Sequence, residues 1–151
     1  MTKFKKLRLR IPGDPIAQAR ARATSIGGKA RVYNPRNGAA WRKKVQIQTV
    51  ARQEYRFSPY DGPVQVSCKF VFKRPKYHHV ARDPKRSVRS KYQMAYHIVK
   101  PDFDNLEKLV CDALTGIVWK DDAQIINGKE YGDEPYTEII ITFLEQEGES
   151  L

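Results

Sequence analysis

The sequence predicts an α+β domain, a mixed β-sheet with helices packed on it, in the rough order β-α-β-loop-α-β-β. Three observations lead there. Short stretches alternate apolar and polar residues, two longer stretches repeat apolar residues at helical spacing, and Gly- and Pro-rich clusters separate them. The length of 151 residues matches one domain with enough chain to bury a core, so residues 1–151 read as a single domain.

Leu7, Leu9 and Ile11 alternate with Lys6, Arg8 and Arg10, which predicts a half-buried strand over 6–11. Gly13-Asp14-Pro15 ends it, because the residue before proline avoids the helical region. Residues 16–35 read as a long connection holding Arg20, Arg22 and a Gly27-Gly28 pair. A helix is predicted over 39–56, with Ala40, Ile47, Val50 and Ala51 on one side; Lys43 intrudes on that stripe and Val45 falls off it. After the turn cluster 58–63, Val64, Val66, Cys68, Phe70 and Phe72 alternate as a second strand, stopped by Pro75, with Cys68 a small core residue. Residues 73–100 show no period and read as a basic loop. Leu106, Leu109, Val110, Ala113 and Leu114 follow i, i+3, i+4, i+7, i+8, a short amphipathic helix ended by Gly116 in the left-handed region. Ile125-Ile126 and Tyr131 follow, then the turn 132–135 and a last strand over 136–144 with Ile139, Ile141 and Phe143 on one side. Trp41 and Trp119 read as core anchors.

Charge narrows the function. The chain has 28 Lys and Arg against 17 Asp and Glu, a formal net of +11. The tail 133–151 holds six acids and no Lys or Arg, so residues 1–132 carry 28 basic against 11 acidic groups, a net of +17. Six of those eleven acids fall between positions 102 and 122: Asp102, Asp104, Glu107, Asp112, Asp121 and Asp122. Strong positive charge points to a polyanionic partner, through release of condensed counterions. An acidic island inside such a surface repels phosphate unless a divalent metal inverts its sign. The basic segment 73–100 holds nine Lys and Arg and one acid, Asp83, interspersed with Tyr77, Tyr92 and Tyr96. Cations that meet phosphates and rings that stack on bases suit a DNA-contacting lid, and a merely solubilising segment is the alternative. The candidate DNA contacts are Arg20, Arg22, Arg74, Lys76, Arg82, Lys85, Arg86, Arg89, Lys91 and Lys100. His78, His79 and His97 read as exposed contacts or bystanders before catalysts.

No apolar run approaches the roughly 18 residues of a membrane span. No apolar stretch follows Met1-Thr2-Lys3-Phe4-Lys5-Lys6, as a secretory signal requires. Cys68 and Cys111 are too few for a disulfide framework or a zinc site. The expectation is a cytoplasmic protein with no membrane partner.

Pro101 enforces an extended entry through Asp102, and Asp102 and Asp104, two apart, project to one side. Lys108, four residues after Asp104, reaches the same point, and the return through Ile117-Val118-Trp119 brings Asp121 and Asp122 back beside them. Hard oxygen donors with little His or Cys suit Mg²⁺ or Mn²⁺, not zinc. Capping is the competing account: Asp104 with Glu107 forms a capping-box-like pair, which explains one Asp but neither Asp102 nor the Asp121-Asp122 pair.

At Lys100-Pro101-Asp102-Phe103-Asp104-Asn105-Leu106, Lys108, Asp112-Ala113-Leu114 and Trp119-Lys120-Asp121-Asp122-Ala123-Gln124-Ile125, the sequence resembles the RusA family of Holliday junction resolvases. Weaker agreement lies in Arg74-Pro75-Lys76, His78-His79, Gln18, Arg20 and Arg22. The resemblance implies a Mg²⁺-dependent endodeoxyribonuclease acting as a homodimer on four-way junctions, encoded by a bacterium, phage or prophage. It implies that Asp102, Asp104 and Asp122 bind metal and that Lys108 is the supporting cation, with Asp121 a less certain participant. A two-fold axis supplies two equivalent sites for paired cuts; the apolar residues of helix 39–56 and of the last strand are the candidate dimer surfaces. The alternatives are a metal nuclease with broader branched-DNA or flap specificity, and a DNA-binding module without catalysis.

Overall fold

Apolar residues spaced by three and four form the two helices, and their facing stripes make the core. Helix α1 (Ala39–Glu54) buries Ile47 and Ala51, and helix α2 (Phe103–Leu114) buries Leu106, Leu109, Ala113 and Leu114. The two pack on each other, and Trp119 closes the cluster from the return after α2. Burying a leucine as completely as Leu109 contributes roughly 2 kcal/mol. The computed structural model describes residues 6–19, 22–33, 38–129, 131, 133–136, 138, 140 and 142–144; for 22–24, 26 and 31–33 only the backbone is described. The chain divides into two compact units, Met1–Phe70 with Pro101–Lys129, and Val71–Lys100 with Glu130–Leu151. Both helices belong to the first.

The predicted stripe of α1 is largely present. Ala40 packs on the core beside Ile47 and Ala51, and Val45 is exposed as its position off the stripe requires. Lys43, the intruder, turns its ammonium to the carbonyl of Pro12 (3.1 Å), which also accepts from the Gln46 amide (3.1 Å). Trp41 departs from its expected anchoring role: it stands 44% exposed, and Trp119 alone of the pair is buried.

The largest correction concerns the sheet. Segments 6–11 and 64–72 were expected as strands, and their side chains do alternate between half-buried and exposed at every position. Leu9, Ile11, Val64 and Val66 pack against the helices' core. Yet neither segment joins a ladder of strands among the described residues. Period-two burial reports which side of an extended chain faces the core and says nothing about its backbone partners. Around Val64 the pairing is brief: its N–H donates to the Gln124 carbonyl (3.0 Å), and its own carbonyl accepts from Ile126 (3.0 Å). The next link comes from a side chain. Asn127 accepts the Val66 N–H (3.0 Å) and donates back to the Val66 carbonyl (2.6 Å), so a carboxamide replaces a strand neighbour.

The ladder that does form lies in the expected loop 16–35. Strands β1 (Arg22–Ile26) and β2 (Lys29–Tyr33) pair antiparallel in register from Arg22 opposite Tyr33 to Ile26 opposite Lys29. Gly27 and Gly28 hold φ of +60° and +75°. A two-residue hairpin turn of type I′ needs positive φ at both central positions, which Gly-Gly supplies without steric cost. Within the last expected strand, the described positions 136, 138, 140 and 142–144 are exposed and unpaired, and Ile139 and Ile141 lie outside the described residues.

Candidate active site

Helix α2 positions the acidic island. Asp102, entering extended at φ −71° and ψ 146°, is its N-cap, so the helix begins two residues before the expected cap at Asp104. Proline at 101 disfavours helix at the residue before it but lets the helix start soon after. Asp104 is consequently a first-turn residue, favoured by the helix dipole, and Asp102 makes no side-chain cap bond. At the other end Thr115 caps the helix through its N–H to the Cys111 carbonyl (3.0 Å), and Gly116 adopts φ +85°, the left-handed residue expected there.

One face of α2 carries Asp104, Lys108, Cys111 and Thr115, spaced by four, three and four. Asp104, Glu107, Lys108 and Cys111 line an open recess of about 320 Å³, completed by Ile125 and Asn127. Lys108 and Asp104 therefore share one recess, as their i, i+4 spacing predicts. Gln18 donates its N–H to the Asn105 carbonyl (2.9 Å), which docks the segment before β1 on the first turn of α2.

Asp122 stands at the opposite end. Its Oδ1 accepts from the Thr115 hydroxyl and from the indole N–H of Trp119 (3.4 Å), and that N–H also donates to Thr115 Oγ1 (3.1 Å). Thr115 follows Asp104 by eleven residues, roughly 16 Å of helical rise. The return through Trp119 thus brings Asp122 to the face of α2 that bears Asp104, but beside its last turn. Asp121 is a cap: its carboxylate accepts from Ala123 N–H (2.7 Å) over the short 3₁₀ turn Asp122–Gln124, while Gln124 Oε1 accepts from Asp121 N–H (2.8 Å). The other end of the same carboxamide donates to the carbonyls of Tyr60 (2.8 Å) and Gly62 (2.7 Å), pinning the return to the 58–63 turn. Capping, the competing account for Asp104, left the Asp121-Asp122 pair unexplained, yet the carboxylate that caps is that of Asp121. Asp-x-x-Gln at 121–124 is the signal that was available.

The donors suit a hard divalent cation, since the island offers carboxylate oxygens, with the Asn127 amide beside Asp104 and Glu107. The arrangement does not gather them: among the described residues no group of three or more His, Cys, Asp or Glu is placed to hold a metal. Asp102, Asp104 and Asp122 accordingly do not form one cluster in this structure. Thr115 and Asn127 are site residues that sequence reasoning passed over, because their roles depend on where the return after α2 runs; Glu107, already counted in the acidic island, lines the recess.

The thiols are quiet. Burial pushes Cys111 up to about 12, reinforced by the neighbouring Cys68 thiol and by Glu107, Asp122 and Asp112; burial and then Glu107 raise Cys68. Both favour the neutral thiol, so their contribution to stability is complete below the ordinary value of 9.0 and is lost as pH rises through the folded values. At pH 8, alkylation of native Cys111 by iodoacetamide is expected to run about a hundredfold slower than in urea. Peptide mass spectrometry measures this, and equal rates would contradict the burial.

The expected basic loop is an organised set of turns. Arg74 donates to the carbonyls of Tyr92 (2.7 Å) and Gln93 (3.1 Å), so its guanidinium serves the scaffold. His78 stacks on Tyr92 (4.3 Å between centroids) and meets Arg74 Nη1 at 3.4 Å. Arginine only donates, so Nδ1 of His78 accepts and the proton sits on Nε2. Desolvation, then the Arg74 and His79 charges, hold His78 below its ordinary value. His79 has the other tautomer, because its Nδ1 meets the Arg86 carbonyl at 2.8 Å and must donate. His97 stacks on Phe72. Lys76, Arg82, Lys85, Arg86, Arg89, Lys91 and Lys100 are exposed; Arg22 lies in β1, and Arg20 lies outside the described residues.

Among the described residues no helix is long and apolar enough to cross a membrane. No solved structure matches the chain at a significant level. Over 138 residues it is 30% identical to the uncharacterized protein YqaN of Bacillus subtilis (strain 168), covering 89% of this chain and 94% of that protein. The family model described as endodeoxyribonuclease RusA matches residues 12–142, a span that takes in the hairpin, both helices and the whole acidic island. With that extent of agreement, the chain belongs to the RusA family of endodeoxyribonucleases.

Proposed function

We propose that this chain is a metal-dependent endodeoxyribonuclease that resolves four-way (Holliday) junctions by paired, symmetric phosphodiester hydrolysis in recombination and repair, working as a homodimer in a bacterial or phage-infected cytoplasm. One observation carries the reading: six acids concentrated between 102 and 122 of a strongly basic body, on the motif that resembles the family's. Asp102, Asp104 and Asp122 would hold Mg²⁺, or Mn²⁺ in its place; Asp121 is less suited because its carboxylate is spent on the cap. When bound, such an ion activates water and offsets charge on the attacking and leaving oxygens. Lys108, on the recess that Asp104 and Glu107 line, supplies positive charge for the phosphate in the transition state. The exposed cations of 73–100 hold backbone phosphates without reading bases.

A second reading, a basic DNA-binding module without catalysis, is favoured by one observation, the separation of Asp102 and Asp104 from Asp122 along α2. Incubation of a synthetic four-way junction with the wild-type protein, with and without Mg²⁺ and beside duplex and flap controls, decides between them. The proposal expects symmetric nicks confined to the junction and dependent on the ion. Binding without metal-dependent cutting would leave the module, and cutting of flaps as readily as junctions would leave a broader branched-DNA nuclease.

A further inference from the structure

Asp83 is the one acid of the basic segment, and among the described residues it makes no ion pair with its cations. Its carboxylate accepts the N–H groups of Lys85 (3.0 Å) and Ser87 (3.1 Å), closing a tight turn. The bond from the Ser87 side chain, followed by these backbone bonds, holds its carboxyl below the ordinary range. On that turn Arg82 sits at φ +57° and Arg86 at φ +53°, the left-handed region that non-glycine residues enter at a cost. The strain is braced from outside: His79 Nδ1 donates to the Arg86 carbonyl (2.8 Å), and Arg89 Nε donates to the His79 carbonyl (3.0 Å).

A recess of about 520 Å³ opens against this turn, lined by Lys76, Arg82, Arg86 and Arg89 along with Asp83. Among the described residues the Lys76 ammonium, the Arg82 and Arg86 guanidinium groups and the terminal nitrogens of Arg89 have no partner. Four cations thus face one recess whose only carboxylate is already committed to the backbone. We infer that this recess is an oxyanion site that grips one phosphodiester of a DNA backbone. Guanidinium forks match phosphate oxygens in bidentate geometry, and the left-handed backbone at both arginines fixes where those forks start. The space is several times that of a phosphate ion and open, so a continuous strand is accommodated. This inference rests on the reading of the protein as acting on DNA.

The test replaces both arginines with glycine, R82G/R86G, which removes the guanidinium groups and keeps the left-handed backbone at no steric cost. R82N/R86N, which also tolerates that region, is the second variant. Binding of a four-way junction is measured in EDTA between 50 and 200 mM salt, and melting temperature is measured alongside. One lost phosphate contact reduces the salt slope by roughly 0.9, so wild type is expected to lose roughly 3.5-fold more affinity than either variant over that range. The glycine variant's melting temperature is expected to equal or exceed wild type's. An unchanged slope in both variants, beside a wild type that binds DNA, overturns the recess assignment alone. A wild type without salt-dependent DNA binding overturns the DNA-acting reading and the recess with it. Saturable binding of inorganic phosphate to wild type that R82G/R86G abolishes, with the DNA slope unchanged, would make this a free-phosphate site and overturn the DNA assignment.

Discussion

Asp104→Asn is expected to lower junction cleavage in Mg²⁺ by at least about a hundredfold while tightening junction binding in EDTA by roughly twofold. The two effects have opposite signs for one physical reason. Without a cation the carboxylate opposes any phosphate that approaches the recess it shares with Lys108. Removing a unit charge about 8 Å from a phosphate in a solvated site is worth roughly 0.5 kcal/mol, and salt reduces it further. On the proposed metal role the same carboxylate would be a ligand once a cation is bound, and its loss would remove the water activation and charge compensation that hydrolysis needs. Asparagine keeps the size of the side chain, so its effect reads charge and ligation before packing. Single-turnover cleavage and binding isotherms with and without EDTA check both halves. Weaker binding in EDTA together with intact cutting would sink the metal role of Asp104; Asp102→Asn is expected to behave in the same way.

What the sequence disclosed follows from the range of the interaction involved. The helices were legible because Ile47, Ala51, Leu109 and Ala113 report a period that local geometry imposes. The alternation of 6–11 and 64–72 was legible for the same reason, and their backbone partners were not, since pairing is set by where other segments run. The Val66 partner is a carboxamide 61 positions away, which no local pattern announces. The Gly27-Gly28 hairpin was available from its turn chemistry and was missed because the flanking residues do not alternate cleanly. For the site, Asp104 with Lys108 followed from helical spacing. The place of Asp122 depended on how far the return after Gly116 carries the chain, and that depends on Trp119 packing into the core beside Leu109.

Trp119 ties stability to the site, and Trp119→Ala is expected to cost about 3–5 kcal/mol, a large share of the 5–15 kcal/mol typical of a whole domain. Its ring is 3% exposed and packs with Ile47, Ala51, Leu109, Ala113 and Leu114, contributed by both helices. Urea denaturation followed by far-UV circular dichroism reports on α1 and α2 directly. Trp119→Phe separates the two roles of the indole: it retains most of the apolar burial and loses the N–H that donates to Thr115 Oγ1 and Asp122 Oδ1. A loss of about 1–2 kcal/mol is expected, because the Thr115 hydroxyl and the Asp122 carboxylate keep each other. Thr115→Val removes the other donor to the same carboxylate. If the three groups act as one network, the double variant departs from the sum of the single effects by about 0.5 kcal/mol or more. Additive losses would mean that Trp119 only packs, and that Asp122 is placed by the capped turn of Asp121 and Gln124.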